Sequence, residues 1–124
     1  MELDQRNWIG IKSLVTNSGH LLENIIFLHL RRMTESLYYY RTSNGKEVDF
    51  VWLDSQKKKH LVQVCLSLAD PLTRKREMTS LTRAVDELRL TQATMVTLDE
   101  DQQEEKDGKN IRIIPAWTYL IMNT

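Results

Sequence analysis

Apolar residues recur with two different periods along this chain. From Gly19 to Met33, Leu22, Ile26, Leu30 and Met33 fall at helical spacing, and Leu21, Ile25 and Leu28 widen the stripe. That spacing predicts a helix, and Arg31 and Arg32 close it in the sense its dipole favours. From Tyr38 to Ser67 the pattern shifts to runs of β-branched and aromatic residues, Tyr38–Thr42, Glu47–Leu53 and His60–Leu66. Asn44-Gly45 separates the first two runs and predicts a tight turn with both central residues at positive φ. The runs predict a three-stranded antiparallel meander, with strands near 37–42, 47–53 and 60–67. Asp70-Pro71 predicts the cap and first position of a second helix, running to about Arg89 with Met78, Leu81, Val85 and Leu88 turned inward.

The remaining third alternates short apolar and long polar stretches. Ala93 to Leu98 reads as a buried strand, Asn110 to Ile114 as a short strand closed by Pro115, and Ala116 to Met122 as a last helix with Trp117, Leu120 and Ile121 packing down. Asp99 to Lys109 is acidic, polar and ends in Asp-Gly, which predicts a mobile loop. The expected fold class is α/β (α+β by some conventions), with a mixed central sheet flanked by helices. Met1 to Ser18 shows no clean period, although Trp8, Ile9, Ile11, Leu14 and Val15 could pack as a short helix. It reads as the remnant of an upstream segment or linker, leaving 19–124 as the domain.

Length and charge narrow the classes. The 124 residues suit one domain, and 17 basic against 17 acidic side chains leave no global field to draw in nucleic acid. A single cysteine makes no internal disulfide, which suits a reducing compartment, and no apolar run nears membrane-spanning length. The expected address is the cytoplasm. There is no glycine-rich phosphate loop, and His20, His29 and His60 are scattered without metal spacing around Cys65. The polar residues that interrupt the pattern are therefore the informative ones. Asp49 stands between Val48 and Phe50 in the second strand, Gln63 and Cys65 share one face of the third, and Glu23 lies on the edge of the first helix's apolar stripe. Lys57-Lys58-Lys59 reads as solvated surface. Arg74, Lys75 and Arg76 sit at the start of a helix, against the dipole preference, a local conflict of the kind that sometimes marks function.

The order of helix carboxylate, hairpin acid and polar strand pair resembles the restriction-endonuclease-like fold with its PD-(D/E)XK motif. More closely, Gly19-x-x-x-Glu23-Asn24, Tyr40-Arg41-Thr42, Gly45-Lys46-Glu47-Val48-Asp49-Phe50, Val62-Gln63-Val64-Cys65, Arg76-Glu77 and Ile114-Pro115-x-Trp117 resemble the C-terminal domain of a family of predicted AAA-type ATPases of bacteria and archaea. The resemblance implies an upstream P-loop ATPase module, where any ATP would bind, and DNA as a partner. It puts Glu23, Asp49 and Gln63 in the positions that hold Mg²⁺, and Cys65 where the pattern has the catalytic lysine. In such a site carboxylates bind the cation, which activates water, while the lysine orients it. Gln63 lacks the charge of a carboxylate and Cys65 lacks the cation, so the implied Mg²⁺ is weakly held. Lys46 and Lys75 are the lysines that could stand in for the missing amine. The expectation is a nuclease-like accessory domain of a larger ATPase with degraded catalysis, binding nucleic acid or a partner. The alternatives are an active Mg²⁺-dependent DNA endonuclease using Glu23, Asp49 and Gln63, and a pure interaction or dimerisation module.

Overall fold

A computed structural model describes residues 18–122, so the reading of Met1 to Asn17 lies outside the described residues. The elements run α1 (Ser18–Met33), β1 (Leu37–Arg41), β2 (Glu47–Leu53), β3 (Lys59–Val64), α2 (Pro71–Glu87), β4 (Gln92–Thr97), β5 (Gln102–Lys106), β6 (Lys109–Pro115) and α3 (Ala116–Met122). The strands form one sheet in the order β1-β2-β3-β4-β6-β5. β1–β2, β2–β3 and β5–β6 pair antiparallel, whereas β3–β4 and β4–β6 are parallel, so the sheet is mixed. The parallel step from β3 to β4 needs a crossover, and α2 supplies it.

Each face of the sheet carries its own core. On one side Met78, Leu81 and Val85 of α2 pack on Val51, Leu61, Met95 and Ile113. On the other, Leu22, Ile26 and Leu30 of α1 meet Phe50, Trp52, Val62, Val96 and Tyr119. The central stripes of both helices are thus buried, but Ile25 at the flank of α1 and Met33 at its end are exposed. Asp70 caps α2 as its sequence implies: Oδ2 accepts from the Thr73 amide at 3.0 Å and Pro71 takes the first position.

Several expectations are corrected. The Asn44-Gly45 turn is wider than a two-residue hairpin. Gly45 donates to the Thr42 carbonyl at 2.9 Å, Thr42 donates to that of Lys46 at 2.8 Å, and only Gly45 in this loop has positive φ. That is a three-residue loop closed by a left-handed glycine. The segment Asp99 to Lys109 is not a loop. It holds strand β5, joined to β6 by a two-residue turn in which Asp107 and Gly108 both have positive φ. Gln-Gln-Glu-Glu-Lys has little strand propensity of its own. The turn and the pairing to buried β6 impose the strand, and its charges suit an exposed sheet edge. β3 stops at Val64 rather than near 67, although Cys65 still donates to Val96 and Leu98 to Leu66. Leu98 is exposed. On α3, Leu120 packs as expected, half-buried, but Trp117 and Ile121 are each 65% exposed, and Ala116 and Tyr119 make the rest of the packing.

The local conflict at the start of α2 is resolved in part by this edge. Arg74 reaches across to a salt bridge with Glu104 and a 2.9 Å bond to Gln102, tying the helix to β5. Lys75 and Arg76 are left facing solvent.

Candidate functional site

The site is built on an irregularity in β2. Tyr38 pairs with Val51 and Tyr40 with Val48, so two residues, Asp49 and Phe50, stand opposite Tyr39 alone. This is a β-bulge, and it breaks the alternation of the strand. Val48 joins the core under α2, while Phe50 and Trp52 join the core under α1. Asp49 is turned into the seam between β2 and β3.

There the side chains take over from the backbone ladder, whose last matched pair is Phe50 with Val62. Gln63 Oε1 accepts from the Asp49 amide at 2.9 Å, and Asp49 Oδ2 accepts from the Val64 amide at 2.7 Å. Gln63, only 5% exposed, then donates from Nε2 to Glu77 Oε2 on α2 at 3.1 Å. Both ends of the amide are satisfied and its orientation is set, as a buried amide requires. Cys65 lies on the same side of β3, also beside Glu77, and its Sγ donates to the Ser67 carbonyl at 3.3 Å. Glu100, after β4, fixes the neighbouring chain by accepting from the Leu68 amide at 2.6 Å. The seam opens at the carboxyl ends of the parallel strands β3 and β4, where open α/β sheets bind ligands.

The electrostatics follow from burial among acids. Desolvation, and after it the charges of Glu23, Glu77 and Glu47, raise the Asp49 carboxyl to about 7 against the opposing pull of the Val64 amide. Among the described residues, the three charged neighbours acting on Asp49 are all negative. Burial, then Glu77, raises the Cys65 thiol to about 11, so it stays a thiol rather than a nucleophilic thiolate. Lys46 and Lys75, the lysines open to replace the missing amine, line a cleft on the outer face of α2 with Arg76 and Arg83.

Of the residues singled out from sequence, Asp49, Gln63 and Cys65 meet in this seam, and Glu23 acts on Asp49 through its charge. Gln63 Oε1 and Asp49 Oδ2 are taken by backbone amides, and among the described residues no group of three or more His, Cys, Asp or Glu side chains could hold a metal ion. The arrangement is that of a desolvated carboxyl set among acids.

Glu77 is the member that sequence reasoning passed over, having read Arg76-Glu77 only as part of a motif. A signal was there: Glu77 precedes Leu81 and Val85 by one and two helical turns, so it continues the inward stripe of α2 as an acid.

Among the described residues, fold and site together define a mixed α/β domain: one six-stranded sheet, three helices, and an acidic seam opened by a bulge. Residues 18–119 match the family described as "Domain of unknown function (DUF4143)", and the chain belongs to that family. An uncharacterized protein of Methanocaldococcus jannaschii is 33% identical over 124 residues, covering 92% of this chain and 27% of that protein. The chain thus spans about a quarter of that relative, in which the matching domain sits within a larger protein. No solved structure matches. No helix among the described residues is long and apolar enough to cross a membrane.

Proposed function

We propose that this domain is a nuclease-like accessory module of a larger ATPase, with its catalytic site degraded, and that it serves to bind nucleic acid or a protein partner. The order of helix, three-stranded meander, helix and parallel fourth strand supports the restriction-endonuclease-like reading of the fold. The observation that carries the loss of catalysis is the surrounding of Asp49. Where such a site needs a cation, this one has the protonated thiol of Cys65, and Asp49 is flanked by Glu23, Glu77 and Glu47. Gln63 offers only a neutral amide oxygen that already accepts from the Asp49 amide, a weaker ligand than a carboxylate. Water activation at a phosphodiester then has neither a held cation nor an ordering amine.

The test is cleavage of plasmid and single-stranded DNA with Mg²⁺ and with Mn²⁺ by the wild type, Asp49→Asn and Cys65→Lys. The expected outcome is no cutting by the wild type. Robust cutting that Asp49→Asn abolishes would establish an active endonuclease and overturn this reading.

A further inference from the structure

The outer face of α2 is strongly basic. Leu72, Arg76, Thr79 and Arg83 follow one another at three- and four-residue steps and so share one face of the helix, opposite the buried stripe of Leu81 and Val85, with Lys75 beside them. Across a cleft of about 270 Å³ stand Asn44 and Lys46 of the β1–β2 loop. We propose that this cleft is a binding site for the phosphodiester backbone of nucleic acid. The proposal rests on the accessory-module reading and gives its nucleic-acid branch a location.

Three observations carry it. First, the cations are exposed and uncommitted. Lys46, Lys75, Arg76 and Arg83 make no salt bridge among the described residues, whereas Arg41, Arg74, Lys109 and Arg112 are each paired. Two acids that act on these cations are hydrogen-bonded elsewhere. Asp70 acts on Arg76 only at a distance and spends its carboxylate on Thr73, while Glu87 acts on Arg83 and bonds Tyr40 and Ser43. Second, the charge is segregated. The chain as a whole is neutral, yet the cleft lining holds Lys46, Lys75, Arg76 and Arg83 and no acid, whereas Glu104 of β5 is spent on Arg74. Third, the shape suits a polyanion with regular spacing. Arg76 to Arg83 spans about 10 Å of helix axis, the rise of about three base pairs. Leu72 is 77% exposed beside the cations and offers an apolar contact for sugar faces. These are backbone contacts, which give affinity without reading sequence.

The test is fluorescence anisotropy of a short labelled DNA duplex with the full 124-residue chain, repeated across a salt series. Four phosphate contacts predict a slope of log K against log salt of about −3.6, so affinity should fall about 10²-fold between 50 and 200 mM salt. Arg76→Gln combined with Arg83→Gln should halve that slope, while Lys58→Gln with Lys59→Gln on the far hairpin should leave it unchanged. All four positions are exposed, and unchanged circular dichroism would confirm folding. An unaltered slope in the Arg76/Arg83 variant overturns the cleft, and so does a wild type that fails to bind duplex at the lowest salt. Poly-glutamate bound as tightly as DNA, and lost in the same variant, would assign the cleft to an acidic protein instead. The cleavage assay reads Asp49 alone, so catalysis by the wild type would overturn the degraded site without touching this result.

Discussion

Asp49 is the residue on which the site turns, and its burial makes it a pH sensor of the fold. Its carboxyl has an ordinary value of 3.8 and is raised to about 7 when folded, first by desolvation and then by Glu23 and Glu77. Between those values the folded chain holds a proton that the unfolded chain has lost. The penalty from Asp49 is therefore absent below about pH 4, grows as pH rises and is complete once pH passes 7, opposite in sign to the acid-sensitive contributions of Asp54, Asp70 and Glu87. The penalty is on the order of 2–4 kcal/mol. Asn at this position keeps an acceptor for the Val64 amide and cannot ionise. Asp49→Asn should match the wild type near pH 4 and melt higher at pH 8. Parallel melting profiles across that range would show that Asp49 does not sit in the desolvated seam.

At the scale of elements, ends and turns decide more than interiors. The carboxyl end of α2 closes with two reversed bonds, Leu90 donating to Val85 and Arg89 to Asp86, each at 2.9–3.1 Å. That closure needs a left-handed residue, and it falls on Arg89 at φ 58°, where glycine is the usual occupant. The motif persists because Leu90 packs against the core that holds Val85. Arg89→Gly should relieve the strain and stabilise by about 0.5–1 kcal/mol, read as a higher urea midpoint with an unchanged slope. A lower midpoint would mean that the arginine side chain contributes more than its backbone costs. Just before this closure, Glu87 accepts from Tyr40 at 2.7 Å and from the Ser43 hydroxyl at 2.6 Å, so the helix end also holds the β1–β2 loop that forms one wall of the basic cleft.

At the scale of the whole molecule, one sheet divides two cores. Ile26 is fully buried on the α1 side and Leu81 on the α2 side. Truncation of either to alanine should cost about 2–5 kcal/mol. Because the sheet separates them, the two losses should add in the double variant, and because both cores share that sheet, unfolding should remain a single transition. Two resolved transitions, or an Ile26→Ala variant with an unchanged midpoint, would show that α1 is not part of the cooperative unit.

What the sequence determined alone was local or periodic. The stripes of α1 and α2, the Asp70 cap, the meander and the existence of β4 and β6 all follow from short-range pattern, because burial of one face and satisfaction of a helix end are encoded within a few residues; the parallel pairing of β4 and β6 does not. Asp49, Gln63 and Cys65 were legible as polar breaks in that pattern. Tertiary structure decided the rest. β5 is a strand only because β6 lies beside it, since its own residues favour solvent. Trp117 and Ile121 face outward because α3 is docked through Ala116 and Tyr119. The bulge that turns Asp49 into the seam, and the inward Glu77 that takes the Gln63 amide, depend on a strand and a helix meeting at one place. No spacing along a single segment states where two segments will touch, and so the charge that surrounds Asp49 was set by packing.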